Sequence, residues 1–93
     1  MDKITKQKLD RYFQVTETAL EIAKKSRNRT QLIQQREDMI DMVERYLSDA
    51  RHFDEKGDLV NAFAALNYAH GWLDAGARLG IFDVHDNKYF TVD

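Results

Sequence analysis

Four side chains of different chemistry recur at helical spacing in the last third of the chain. They are an amide, an imidazole, a carboxylate and a guanidinium: Asn67, His70, Asp74 and Arg78. Residues three or four apart lie on one face of a helix, and Gly71 leaves bare backbone beside them. This polar strip (Asn67, His70, Asp74 and Arg78) is therefore a candidate site for a small molecule or an ion. The alternative is that Asp74 and Arg78 pair, while Asn67 and His70 bond to a neighbouring helix or to the C-terminal tail.

Two pairs of potential metal ligands also occur at helical spacing. His70 and Asp74 are four residues apart, and Asp49 and His52 are three apart. Protein sites for transition metals use three or four ligands, so we predict neither a metal nor another cofactor. The chain has no cysteine and contains no Gly-rich phosphate loop, HExxH or GxSxG pattern. We assign no catalytic residue, and the sequence favours a protein that is not an enzyme.

Arginine precedes histidine twice with six residues between them, at Arg45 and His52 and at Arg78 and His85. This spacing resembles the Arg-x(4–6)-His signature of the HEPN nucleases, which are also all-α. The resemblance implies RNA processing as an alternative function for the polar strip of the third helix.

A second side of the same helix is aromatic and aliphatic. At about 100° per residue, Tyr68, Trp72 and Leu79 share one strip with Ala64 and Ala75, which we call the outer strip. A sizeable apolar patch is rarely left bare, so we expect the tail or a second copy to cover it. Tyr68, Trp72 and Leu79 are therefore the candidate interface. We predict a non-catalytic domain that self-associates or binds another protein.

Three helices must position these two strips. The chain has no proline and only four glycines, and apolar residues recur at helical spacing over residues 3–26, 30–56 and 59–79. Asn28 or Thr30 can cap the second helix. The apolar stripe of that helix begins at Leu32 and is interrupted only by Arg36.

The short turn at Gly57 makes the second and third helices antiparallel neighbours. We therefore expect one all-α domain over residues 1–93, folded as an antiparallel up-down-up three-helix bundle. Residues 80–93 form a short tail, in which Ile81 and Phe82 plug the end of the bundle. We expect this tail to be mostly irregular, because an isolated two-stranded hairpin is marginally stable; a short hairpin is the alternative.

The charge and the apolar runs exclude several classes of protein. The net charge of -2 argues against a general nucleic-acid binder, which needs a basic surface. No apolar run approaches the roughly 20 residues that span a bilayer, so no membrane partner is expected. The N-terminal residues lack the apolar core of a signal peptide. We expect a cytoplasmic protein.

The second half of the chain resembles a known family. The resemblance rests on Phe53 and on five runs of residues: Tyr46–Ala50, Lys56–Asp58, Asn61–Ala65, Asn67–Gly76 and Arg78–Gly80. They look like the archaeal domain of unknown function 357. The resemblance implies an archaeal protein with a compact bundle of three helices and no established activity. It implies no catalytic residue that could be transferred to this chain.

Overall fold

The computed structural model describes residues 3–91, which form three α-helices joined by short connections. These are α1 (Lys6–Lys25), α2 (Ile33–Glu55) and α3 (Leu59–Leu79). They form an up-down-up bundle in which α3 packs extensively on α2 and less extensively on α1. Contact between α1 and α2 is slight. No strand occurs in this part of the chain, and the predicted all-α three-helix bundle is confirmed.

Side-chain caps fix where the first and third helices begin. The hydroxyl of Thr5 accepts a hydrogen bond from the Lys8 amide at 3.1 Å, and the Asp58 carboxylate accepts one from the Asn61 amide at 3.1 Å. Each cap satisfies an amide that has no partner within its own helix. The predicted start of the first helix at residue 3 is therefore three residues too early, whereas the predicted bounds of α3 are those of the structure.

The second helix begins at Ile33 rather than at residue 30, because Asn28 and Thr30 form a turn of their own. The Asn28 side-chain oxygen accepts hydrogen bonds from the amide and the hydroxyl of Thr30, at 2.9 Å and 2.6 Å. The Thr30 hydroxyl oxygen in turn accepts from the Leu32 amide at 3.0 Å. Leu32 thus precedes the helix and is 43% exposed, although the apolar spacing places it in the core stripe.

The tail closes one end of the bundle. Gly80 adopts the left-handed conformation, with φ of 81°, and ends α3. Ile81 and Phe82 then turn inward and are almost fully buried, as the sequence predicts. The ring of Phe82 lies directly against Gly76, where a Cβ would collide with it. From Gly80 to Thr91 the tail is irregular and contains no strand.

The guanidinium of Arg36 joins three parts of the chain at this end. Its nitrogens donate hydrogen bonds at 2.7 to 3.2 Å to four backbone carbonyls: Ala23, Lys24, Ser26 and Ile81. Its carbon lies 5.3 Å from the centre of the Phe82 ring. The carbonyls at the end of a helix have no partner within it, so Arg36 caps α1 and fixes the tail against it.

None of the helices within residues 3–91 is both long enough and apolar enough to cross a membrane.

Candidate functional site

The four side chains of the polar strip do not converge. His70 and Asp74 are half-buried on the side of α3 that faces α1 and the tail. Asn67 and Arg78 lie on the same helix but are exposed to solvent. The helix therefore divides the predicted strip into a partly buried pair and two exposed groups.

His70 and Asp74 belong to a polar network that joins α1, α3 and the tail. The His70 Nδ1 atom lies 3.2 Å from the hydroxyl oxygen of Thr16, which is fully buried in α1. On its other side, His70 Nε2 lies 3.7 Å from Asp74 Oδ1. The same carboxylate oxygen accepts a hydrogen bond from the Thr91 amide at 2.9 Å. Each polar group of the network thus has a partner within the chain.

Tyr12 packs against this network on the α1 side. Its ring centre lies 6.1 Å from that of His70 and 4.8 Å from that of Phe63. Burial, and then the negative charge of Asp74, raise the pKa of Tyr12 above its ordinary value of 10.0. Both causes disfavour the phenolate, so the phenol is neutral at physiological pH.

A hydroxyl, an imidazole and a carboxylate in sequence are the groups of a nucleophilic triad. Here Thr16 is completely buried, so its oxygen cannot attack a substrate outside the protein. The carboxylate of Asp74 is also already bonded to the tail. The geometry of Thr16, His70 and Asp74 is that of a structural network, which fixes α3 against α1 and holds the tail.

The sequence also offered an alternative, in which the side chains of the polar strip bond within the chain instead of binding a ligand. The structure forms some of these bonds. His70 does bond to the neighbouring helix, as that alternative requires. Asp74 does not pair with Arg78; among the ion pairs of residues 3–91, its only contact is with His70. The reason is orientation, since Asp74 points toward the tail while Arg78 points to solvent.

The two arginine-histidine pairs lie apart from this network. Arg45 is exposed and forms an ion pair with Asp41 at 2.9 Å, and His52 is exposed two turns further along α2. In the tail, His85 Nε2 lies 3.0 Å from an oxygen of Asp83. Within the described residues, no three His, Asp or Glu side chains are close enough together to hold a metal ion.

The outer strip is exposed, and the described part of the tail does not cover it. Tyr68 and Leu79 are each 63% exposed, and Trp72 is 36% exposed. The ring of Tyr68 stacks on Tyr46 of α2, with ring centres 5.4 Å apart and planes inclined by 17°. The tail instead packs on the other side of α3, where Thr91 bonds to Asp74. The sequence predicted that either the tail or a second copy covers the outer strip. Because the described part of the tail runs elsewhere, the second copy is the remaining alternative.

An apolar groove continues the outer strip onto α2. It has a volume of about 300 Å³ and is lined mainly by aliphatic, aromatic and thioether side chains: Leu32, Gln35, Asp38, Met39, Met42, Trp72, Leu79 and Ile81. Methionine fits irregular apolar partners well because its side chain is flexible and polarisable. The candidate interface thus extends beyond Tyr68, Trp72 and Leu79 to a groove shared by two helices.

Reasoning from the sequence missed the α2 half of this groove. Leu32 lies there because α2 begins late, and the spacing of apolar residues gives no sign of that. Met42 lies beside the core stripe of α2 and is half-buried, and a single apolar residue at such a position is common. Arg36 lies outside the groove and caps α1. The sequence did carry a signal for it, because a cation in an apolar stripe needs a polar partner.

The sequence also matches a family model, described as a protein of unknown function (DUF357), over residues 11–82. The match includes all of α2 and α3 and most of α1. The chain belongs to this family. DUF357 is the family predicted from the second half of the chain, and the match adds the first helix to it. No curated protein and no solved structure matches the chain.

Proposed function

We propose that this member of DUF357 is a non-catalytic interaction domain that associates with a second copy of itself through the outer strip. The observation that carries the proposal is the exposure of Tyr68, Trp72 and Leu79 beside an apolar groove, on a side that the described tail leaves uncovered. Contiguous exposed apolar surface that continues into a groove is typical of protein interfaces.

The charge pattern of α3 favours a copy of the same chain as the partner. A two-fold interface brings identical patches together, so any charge at its centre would face a like charge. Between Leu59 and Leu79 the only charged residues are Asp74 and Arg78, and neither belongs to the outer strip. Self-association through this strip therefore carries no central repulsion.

The polar strip is the less favoured site for a small molecule, an ion or RNA. Its two half-buried members, His70 and Asp74, already bond within the chain. The proposed setting is the archaeal cytoplasm, which agrees with the family resemblance and with the absence of cysteine.

Sedimentation equilibrium tests the proposal. We expect the wild type to form dimers and the Tyr68→Glu/Trp72→Glu variant to sediment as a monomer, because it places charges on the outer strip. The matched control is Gln14→Glu/Thr18→Glu, which adds two carboxylates on an exposed side of α1 and should leave the dimer intact. A wild type that is monomeric at millimolar concentration, or a Tyr68→Glu/Trp72→Glu variant that still dimerises, would overturn the proposal.

A further inference from the structure

Two charged side chains flank the outer strip on opposite sides. Asp38 lies on the α2 side, where it lines the groove. Arg78 lies on the far side, which faces away from α2, one residue before Leu79. Both are exposed, and neither forms an ion pair within residues 3–91. The apolar strip thus has an unpaired anion along one edge and an unpaired cation along the other.

These two charges lie at nearly the same height along the bundle. Tyr46 stacks on Tyr68, and α2 runs antiparallel to α3. Asp38, eight residues before Tyr46, is therefore level with Gly76, eight residues after Tyr68. Arg78 is two residues further along α3, which corresponds to about 3 Å. A long arginine side chain spans such an offset easily.

We propose that two copies associate with their α3 helices parallel, about a two-fold axis that runs along these helices, so that Asp38 of each copy pairs with the partner's Arg78. This arrangement rests on the proposed self-association and specifies its geometry. A two-fold axis along α3 leaves the position of each residue along the helix unchanged and exchanges the two edges of the strip. The anionic edge of each copy then faces the cationic edge of the other, so the ion pair forms twice.

The antiparallel arrangement has the opposite electrostatic consequence. A two-fold axis across the middle of α3 inverts heights and brings like edges together. Asp49, three residues after Tyr46, is exposed on the same side of α2 as Asp38 and level with Ala65. The axis would place Asp38 of one copy close to Asp49 of the partner subunit, anion against anion, because Arg45 on the same side of α2 is already paired with Asp41 of its own chain. Charge complementarity therefore selects the parallel arrangement.

Gly71 supplies a separate reason for close approach at this face. A glycine inside a helix costs about 1 kcal/mol relative to alanine. A Cβ added at Gly71 would meet nothing within 4 Å, so packing within the chain does not require glycine there. Together with Ala64 and Ala75 it leaves the face of α3 shallow enough for a second helix to approach closely.

Cross-linking distinguishes the two arrangements cleanly because the chain has no cysteine of its own. Ala64 and Ala75 are exposed on the outer strip and lie about 16 Å apart along α3. Parallel helices bring each position opposite itself, so Ala64→Cys and Ala75→Cys should each form disulfide dimers alone under mild oxidation. Thr18→Cys, on an exposed side of α1, measures the background from random collisions.

Each outcome of the cross-linking either supports or overturns the parallel arrangement of the α3 helices. Dimers in both single variants, above the Thr18→Cys background, support the parallel arrangement. Dimers only in a mixture of Ala64→Cys with Ala75→Cys show antiparallel helices. That result overturns this inference and leaves self-association standing. Cross-linking at one position only, or at neither while the wild type sediments as a dimer, also overturns the inference alone. A monomeric wild type overturns both proposals.

Charge reversal tests the proposed ion pairs directly. Asp38→Arg and Arg78→Asp should each weaken the dimer about tenfold, since each turns two attractions into repulsions. The double variant restores opposite charges and should return the dissociation constant to within about threefold of wild type. Asp49→Arg should change it little. A double variant no tighter than the singles, or a dimer strengthened by Asp49→Arg, would overturn the pairing.

Discussion

Gly71 and Gly76 lie five residues apart on α3, on opposite sides of the helix and in opposite surroundings. Gly76 is buried, and the ring of Phe82 occupies the space that a Cβ would need. Gly71 is exposed and has open space around the same position. One glycine is thus explained by packing within the chain, while the other has no explanation there. The covered side of α3 has its polar groups and its glycine accounted for, and the open side is where a partner should be sought.

Gly76→Ala should have the largest effect and should destabilise the monomer. The new methyl group overlaps the ring edge of Phe82, which cannot move easily because it is fully buried beneath Arg36. Overpacking of this kind costs about 1–3 kcal/mol, and the better helix propensity of alanine returns about 1 kcal/mol. Urea unfolding of dilute protein should therefore show a net loss of up to about 2 kcal/mol in the free energy of unfolding.

The same substitution in a Phe82→Ala background provides the control. Without the ring there is no overlap, so Gly76→Ala should become neutral or stabilising by up to about 1 kcal/mol. An equal loss in both backgrounds would show that Phe82 is not the reason for glycine at this position.

Gly71→Ala should have the opposite sign in the monomer. The added methyl group meets no atom of the chain, and alanine in an exposed helix interior is favoured by about 1 kcal/mol. Urea unfolding at a concentration below the dimer dissociation constant should show this gain. A loss of stability would mean that Gly71 is needed within the monomer, and the contrast with Gly76 would disappear.

Asp74→Asn should have the smallest effect, on the titration of Tyr12. Burial and the Asp74 carboxylate raise the pKa of this phenol, so the folded chain holds its proton more tightly than the unfolded chain. The resulting stabilisation is present below pH about 10 and is lost as pH rises through the raised pKa. With asparagine only burial remains, and the pKa should fall toward 10.0 without reaching it.

Tyrosinate absorbance measured against pH checks this expectation. Tyr12→Phe identifies the contribution of Tyr12 among the four tyrosines. An unchanged Tyr12 midpoint in Asp74→Asn would show that the Asp74 carboxylate does not influence the phenol. The polar groups on the covered side of α3 would then act independently of Tyr12.

The helices could be predicted closely because their signals are local. Asp58 and Gly80 lie at the two ends of α3, and the predicted bounds of this helix are those of the structure. The start of α2 could not be placed, because the hydrogen bonds between Asn28 and Thr30 compete with a helical cap that the same residues could form. Local propensity alone does not decide between two such arrangements.

The candidate site was predicted less completely. Tyr68, Trp72 and Leu79 follow from helical spacing alone, whereas the groove beside them also needs Leu32 and Met42 from another helix. The four side chains of the polar strip lie on one face of α3, as their spacing requires. Lying on one face does not make them converge on a single site. His70 and Asp74 turned inward to α1 and the tail, and Arg78 remained in solvent.

The sequence by itself determined the three helices, their order and the apolar strip on α3, because the spacing of residues along one helix fixes which side chains share a face. Only the tertiary structure decided what each side of α3 meets. Partners such as Thr16 for His70, or Phe82 for Gly76, depend on how separate segments pack together. Arg36 donates a hydrogen bond to the Ile81 carbonyl, and Asp74 accepts one from the Thr91 amide. These bonds hold the tail on a path that leaves the outer strip open.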